Sequence, residues 1–533
     1  MFLLLSASAF AANPPVTDGP PVTIDPPVTA EPPAQDRSRF VGPLLPSEHP
    51  AAAIIASTGN AESAVVKIYA TVSYPDPLKP WTKQPPRDIV GSGVVIEGNR
   101  ILTNAHTVLY ASQISIQANK ASKIPATVAA IAPGMDLAVL KLNDESFFAS
   151  HAPLPRASVL PDHKAPFVAY GYHTAATALT PVKGQVLRID FAPYHYYVSG
   201  LRFQTDAVID PGVSGGAALA GDKMIGLMFS NLADTQSTGY IIPNEEIELF
   251  LQDIADGHYD GKPAIFDYLQ TLENPTLRSF LKIDASITGV IVHQPLQTSA
   301  AYPLKQWDII TRIGDTVIDG QGMVKLGDNR RIGFRYLVQK IAKQGKVPLT
   351  IIRAGKPLEV ELPVVADRPT LISALKSEYP PYFIYGPLVF SKATLEYLSS
   401  VITNASTINT LSYMENPLVT QRGDVPDAER EELVIISSPF FTHWLAQGYS
   451  NHANTVVYSV NGTRISSLRH LVTLLRDLKD DFVVIDFDGR GGEALVFPRA
   501  DLVAATSGIL NANGISAQGS PDLLKLWQGG AQK

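Results

Sequence analysis

Between about residues 52 and 243, turn residues (Gly, Pro, Asn and Asp) interrupt the chain at close spacing, and the runs between them are short, apolar and β-branched. They include Ala64-Val-Val-Lys-Ile-Tyr-Ala-Thr-Val72, Gly93-Val-Val-Ile-Glu97, Leu137-Ala-Val-Leu-Lys-Leu142, Phe167-Val-Ala-Tyr-Gly171 and Met224-Ile-Gly-Leu-Met-Phe229. Runs this short cannot build long helices, and side chains stiff at χ1 suit a pleated surface. No alternation of strand with helix accompanies them, so the region is confined to antiparallel barrels or sandwiches, a mainly β class. After it, Pro243-Asn-Glu-Glu246 opens a run with Ile247, Phe250, Leu251 and Ile254 on one face, which predicts a closing amphipathic helix capped by Asn244.

Two further blocks follow. The first, 266–366, holds Thr288-Gly-Val-Ile-Val292, the turn Ile313-Gly-Asp-Thr316, a predicted helix over 331–344 and a hairpin from Leu349 to Leu362 around Ala354-Gly355. The second, 367–515, repeats the order with Leu433-Val-Ile-Ile436, Val456-Val-Tyr-Ser-Val460, a helix from Ser467 to Asp477 and the strand Phe482-Val-Val-Ile-Asp-Phe487. The recurrence predicts a duplicated α+β module, followed by a polar, frayed tail at 516–533. At the other end, residues 1–11 close a short apolar run with Ala9-Phe10-Ala11, which fits a signal-peptidase site and predicts an exported protein. Pro-Pro pairs at 14, 20, 26 and 32 make 12–51 a stiff polyproline II linker.

Composition removes several classes of function. The 43 basic and 50 acidic residues leave a net charge of −7, the wrong sign for coating nucleic acid. No stretch approaches the ~18 apolar residues of an integral membrane span. With 0 cysteines there is no disulfide scaffold, thiolate metal site or cysteine nucleophile.

A serine hydroxyl becomes a nucleophile only beside a base that a third group holds in its tautomer. Gly212-Val-Ser214-Gly-Gly216 flanks a serine with glycines that permit a tight turn and an exposed hydroxyl. Alone, it also fits the nucleophile elbow of α/β-hydrolases. That elbow must lead into a helix and precede its acid and histidine, whereas residues 217–229 read as strand, turn, strand. Histidine and aspartate candidates lie upstream instead, in Thr103-Asn-Ala-His106 and Asp136-Leu-Ala-Val-Leu140.

These two blocks, with Gln204-Thr-Asp-Ala-Val-Ile-Asp-Pro-Gly-Val-Ser214-Gly-Gly216, resemble the catalytic blocks of the HtrA/Deg family of trypsin-like serine proteases. Residues 288–364 resemble that family's PDZ module. Tyr379 to Phe390, Val460-Asn-Gly-Thr-Arg464 and Ser520-Pro-Asp-Leu523 resemble the divergent second PDZ of its plant-type branch. The resemblance implies a chymotrypsin-like double β-barrel domain over 52–258 and two PDZ-like α+β domains over 266–366 and 367–515. It implies Ser214 as nucleophile, His106 as general base and acid, Asp136 as the orienting carboxylate, and the amides of Gly212 and Ser214 as the oxyanion hole. Val208 would floor the primary specificity pocket and select small or medium apolar residues. Phe280-Leu281-Lys282-Ile283 would hold a peptide carboxylate in the first PDZ. Val213 departs from the family's usual Asn, and valine disfavours positive φ. No metal or organic cofactor enters this mechanism. The expected partners are unfolded or damaged proteins and further copies of the chain in a homo-trimer or larger homo-oligomer, in a bacterial periplasm. The alternative is a catalytically impaired PDZ protein that binds misfolded chains without cutting them.

Overall fold

The computed structural model describes residues 58–119, 121–194, 198–229, 239–327, 330–490 and 492–529. The leader expected at 1–11 and the Pro-rich linker expected at 12–51 lie outside them. β1 (Val65–Val72), β2 (Arg87–Ile96), β3 (Arg100–Thr103), β4 (Ala111–Gln117), β5 (Ile124–Ala132) and β6 (Leu137–Leu142) form a closed antiparallel barrel in the order β1-β2-β3-β6-β5-β4. A second closed barrel, β10-β11-β12-β9-β8-β7, uses β7 (Pro166–Gly171), β8 (Thr180–Pro193), β9 (Ser199–Thr205), β10 (Ala217–Ala220), β11 (Lys223–Phe229) and β12 (Tyr240–Pro243). The short β-branched runs thus become strands whose inward side chains fill the barrels: Ile68, Ile101 and Leu140 in the first, Phe203, Met228 and Ile241 in the second, all buried. Each contributes about 2 kcal/mol of hydrophobic stabilisation.

Helix Asn244–Asp253 follows as expected, with Ile247, Phe250 and Leu251 buried. Asn244 is not its cap. Pro243 takes that position, and the Asn244 amide donates instead to the carbonyls of Ala157 (2.9 Å) and Met224 (2.6 Å), tying the helix to the barrel.

The next sheet runs β13 (Tyr268–Thr271), β14 (Val290–Gln294), β15 (Ile309–Ile313), β19 (Lys346–Arg353) and β20 (Lys356–Pro363), with β16 (Thr316–Val317) beside β15. The predicted helix over 331–344 is mostly absent. Arg330–Gly333 is a strand, β18, paired with β17 (Met323–Leu326), and only 334–341 is helical, because Ile332 must be buried from an extended backbone. This module docks on helix Asn244–Asp253. The Tyr336 hydroxyl donates to Glu245 (3.0 Å), and the Gln339 amide to the fully buried Glu246 (2.9 Å). Glu246 also accepts from the Leu201 amide (2.7 Å) and pairs with buried Lys262 (2.5 Å).

The last sheet is β21 (Tyr382–Tyr385), β22 (Leu388–Lys392), β23 (Val434–Ile436), β24 (Val456–Val460), β26 (Phe482–Asp488) and β27 (Leu495–Pro498), with β25 (Thr463–Arg464) beside β24. β24, β25, β26 and β27 are arranged as β15, β16, β19 and β20 are, which supports the duplication. Helix Leu468–Asp477 begins where expected, with the Ser467 side chain accepting from the His470 amide. The tail expected to fray from 516 is ordered through 529. Residues 518–520 run beside β21, with Ile384 N donating to Gln518 O (2.7 Å) and Ser520 N to Tyr382 O (2.9 Å). Helix Pro521–Gly529 then buries Leu523 and packs Trp527 on Phe383 and Tyr385. Leu523, Leu526 and Trp527, at helical spacing, were the apolar face that the polar composition concealed.

Among the described residues, no helix is long and apolar enough to cross a membrane.

Candidate active site

β3 delivers the chain to Asn104 and the one-turn helix Ala105–Val108, which carries His106. The Asn104 amide donates to the backbone carbonyl of Asp136 (3.0 Å), joining this turn to the one between β5 and β6. Asp136 has φ +55, a left-handed conformation that Asp tolerates better than most residues. That bend points its buried carboxylate at His106, whose backbone N donates to Oδ1 (2.9 Å) and whose Nδ1 lies 2.8 Å from Oδ2. A carboxylate can only accept, so Nδ1 carries the proton and Nε2 is left as the basic nitrogen. Burial alone lowers the imidazole pKa, but the charge of Asp136 and its hydrogen bond outweigh it and hold His106 above its ordinary value.

Ser214 ends a tight turn, Pro211–Val213, that Asp210 caps. The Ser214 carbonyl accepts from Ser92 N on β2 (2.8 Å), and the Ser92 carbonyl accepts from the Thr103 hydroxyl at the end of β3 (2.7 Å). The serine turn is thereby fastened to the strand pair that leads to His106. Gly215 makes the approach possible: it has φ +84, and a Cβ there would lie 2.1 Å from Ser92 O. Ser214 itself is fully buried.

Four expectations change. The amides assigned to the oxyanion hole face inward: Gly212 N donates to the Asp210 carboxylate (2.9 Å) and Ser214 N to Pro211 O (3.2 Å). Val208 is 64% exposed and floors no pocket, because the extended backbone turns Ala207 and Ile209 inward and Val208 out. In Phe280-Leu281-Lys282-Ile283, the amides of the last three residues are not open to a carboxylate. The segment ends helix Pro275–Phe280, where the amides of 281, 282 and 283 donate back to Leu277, Ser279 and Arg278 carbonyls, and Phe280 lies exposed against Trp307. The exposed carbonyl end of a helix also repels an anion. Val213 adopts no positive φ and is buried, so the strain feared there does not arise. Ser92, Asp210 and Thr174, absent from the sequence-based assignment, organise the turn. Of these, Asp210 before Pro211 carried a legible signal, an N-cap acid followed by proline at the first helical position.

Comparison with known proteins agrees with this fold. The family described as "Trypsin-like peptidase domain" matches residues 91–227, and "PDZ domain" matches 373–522. "Protease Do-like 4, mitochondrial" from Arabidopsis thaliana is 31% identical over 87% of this chain and 86% of its own length. "Protease Do-like 2, chloroplastic" from the same plant is 31% identical over 87% of this chain and 76% of its own. The solved structure "HtrA-type protease AlgW with decapeptide" has 22% identity and a TM-score of 0.45, covering 59% of this chain and 99% of that one. With its trypsin-like double barrel, its PDZ fold and relatives alike over most of their length, this chain belongs to the HtrA/Deg, or Do-like, family of serine proteases.

Proposed function

We propose that this serine protease is an endopeptidase of unfolded or damaged chains in which Ser214 attacks, His106 relays the proton and Asp136 fixes the imidazole. The observation that most supports this reading is the buried Asp136 carboxylate on the backbone N and Nδ1 of His106. That pair leaves Nε2 to take the Ser214 proton and later return it to the leaving amine. The tetrahedral oxyanion then needs the amides of Gly212 and Ser214, each worth about 3–4 kcal/mol in comparable sites, so the turn must reopen for catalysis. A barrel-cleft protease takes an extended segment, which folded cores do not offer. The PDZ-like modules are suited to holding such segments by strand addition. Because residues 518–520 already lie along β21, the module of β13–β20 is the one we assign to peptides. By family resemblance we also infer a homo-trimer or larger homo-oligomer. For compartment we infer entry through the leader at 1–11. The mitochondrial and chloroplastic names of the relatives favour an organelle over the periplasm expected from sequence.

The inward Gly212 amide favours a second reading, the non-cleaving binding protein. The two separate on a fluorophosphonate probe and unfolded casein: wild type is expected to be labelled and to cleave, and Ser214→Ala to do neither. A folded wild type inert in both assays would decide for the binding reading. The raised His106 pKa gives a further expectation. Catalysis needs neutral His106, so the rising limb of kcat/KM against pH lies above that of an ordinary histidine. The sign for stability is opposite: the imidazolium's contribution is full below the unfolded pKa and is lost as pH rises through the folded one. A rising limb at or below the ordinary histidine position would contradict this assignment of the base.

A further inference from the structure

We propose that Asn104 is a positioning residue: by donating to the Asp136 carbonyl it fixes the left-handed backbone that points the Asp136 carboxylate at His106. This rests on His106 and Asp136 acting as the base and its orienting acid. Asn104 occupies the N-cap position of helix Ala105–Val108, with φ −77 and ψ 143. An asparagine there ordinarily accepts, through its side-chain oxygen, from the second or third amide of the helix. Here the Asn104 side chain makes no such bond. The second amide, His106 N, donates to Asp136 Oδ1 (2.9 Å) instead, and Asn104 Nδ2 donates to Asp136 O (3.0 Å). Each residue thus does the other's work: the carboxylate caps the helix, and the cap residue holds the carboxylate's backbone.

The exchange carries a cost. Asn104 is fully buried, and among the described residues its Oδ1 has no hydrogen-bond partner. Turning the amide over would not relieve it, because two oxygens would then face each other at the Asp136 carbonyl. An orphaned buried acceptor is destabilising, so stability alone does not explain a buried asparagine at this position. The geometry of Asp136 does. Its φ of +55 lies where a residue other than glycine needs support from its surroundings. The bonds within the turn, Met135 N to Ala132 O (3.1 Å) and Asp136 N to Pro133 O (3.3 Å), hold the residue on its amide side. The Asn104 bond holds the far side, at the carbonyl. Without that donor the 136–137 peptide is free to rotate, the backbone relaxes toward negative φ and the carboxylate swings off His106.

The test is cleavage of unfolded casein by the full chain over a range of pH, with thermal unfolding measured on the same samples. Asn104→Ala, which removes the donor, is expected to lower kcat about tenfold with KM unchanged, the bias that one hydrogen bond supplies. Its rising pH limb should move down toward that of an ordinary histidine, because the charge that raises the His106 pKa sits on Asp136. Asn104→Asp, when ionised, supplies acceptors and no donor. It should cap His106 N in place of Asp136, unfold near the wild-type temperature and lose at least as much kcat. A side chain that merely fills the core would lose activity and stability together and leave the limb in place. An unmoved limb in Asn104→Ala, or a kcat within about twofold of wild type, would overturn the inference. Should that variant not fold, a folded Asn104→Asp with wild-type kcat would overturn it equally. Adding Asn104→Ala to Asp136→Asn should cost no further kcat, since Asn104 acts through the carboxylate; a further drop of about tenfold would also count against it. Wild-type activity in Asp136→Asn alone would instead sink the assignment of the orienting acid, a different failure.

Discussion

Asp136→Asn is expected to lower kcat on unfolded casein by about 10⁴-fold while the protein remains folded. Asparagine tolerates the left-handed backbone that Asp136 occupies, and the Asp136 carbonyl that accepts from Asn104 is untouched, so the turn survives. What changes is the acceptor. Two donors of His106, its backbone N and Nδ1–H, now converge on a carboxylate. An amide offers one oxygen to them and presents its NH₂ to the other, which drives the ring toward the tautomer with its proton on Nε2. That nitrogen then cannot take a proton from Ser214. The loss should appear in kcat rather than KM, and the residual pH profile should shift down, since the charge that raises the His106 pKa is gone. A variant retaining a tenth of wild-type kcat would show that this pair is not the catalytic dyad.

Glu246→Ala should destabilise the protein by about 3–5 kcal/mol, a large loss for one side chain. Glu246 is fully buried and receives Leu201 N of the second barrel, the Gln339 amide of the neighbouring module and the Lys262 ammonium. Truncation strands the lysine, only 8% exposed, and orphans two further donors. Replacing both partners by apolar residues, as Glu246→Leu with Lys262→Met, should recover the part of the loss due to the stranded charge, while the part due to the two orphaned donors remains. Denaturant midpoints of the single and double variants measure the coupling. A single variant within about 1 kcal/mol of wild type would mean that water or rearrangement relieves the lysine.

The barrels were legible because their strands are short and β-branched, a local signal that burial reinforced. The pairing of His106 with Asp136 was legible from their sequence blocks, but the orientation of the Gly212 amide was not. It depends on which acceptor wins a single peptide group, a choice made by Asp210 and by Thr174, whose backbone arrives from 36 residues away. Residues 331–344 misled because Ile332 needed an extended backbone to reach the core through β18, and tertiary burial overrides helical periodicity. The pairing of the 281–283 amides was illegible for a related reason. Sequence shows which residues form a loop, but not that its amides are already satisfied by a helix's last carbonyls.

The strip of chain at 518–520 alongside β21 has a bearing on self-association. An unpaired strand border is a template on which any extended polypeptide can crystallise a new row. Here the β21 border is closed by covalently attached residues, anchored by the Leu523 and Trp527 side chains, so a passing chain finds no vacant row beside β21 on which to begin fibrous growth.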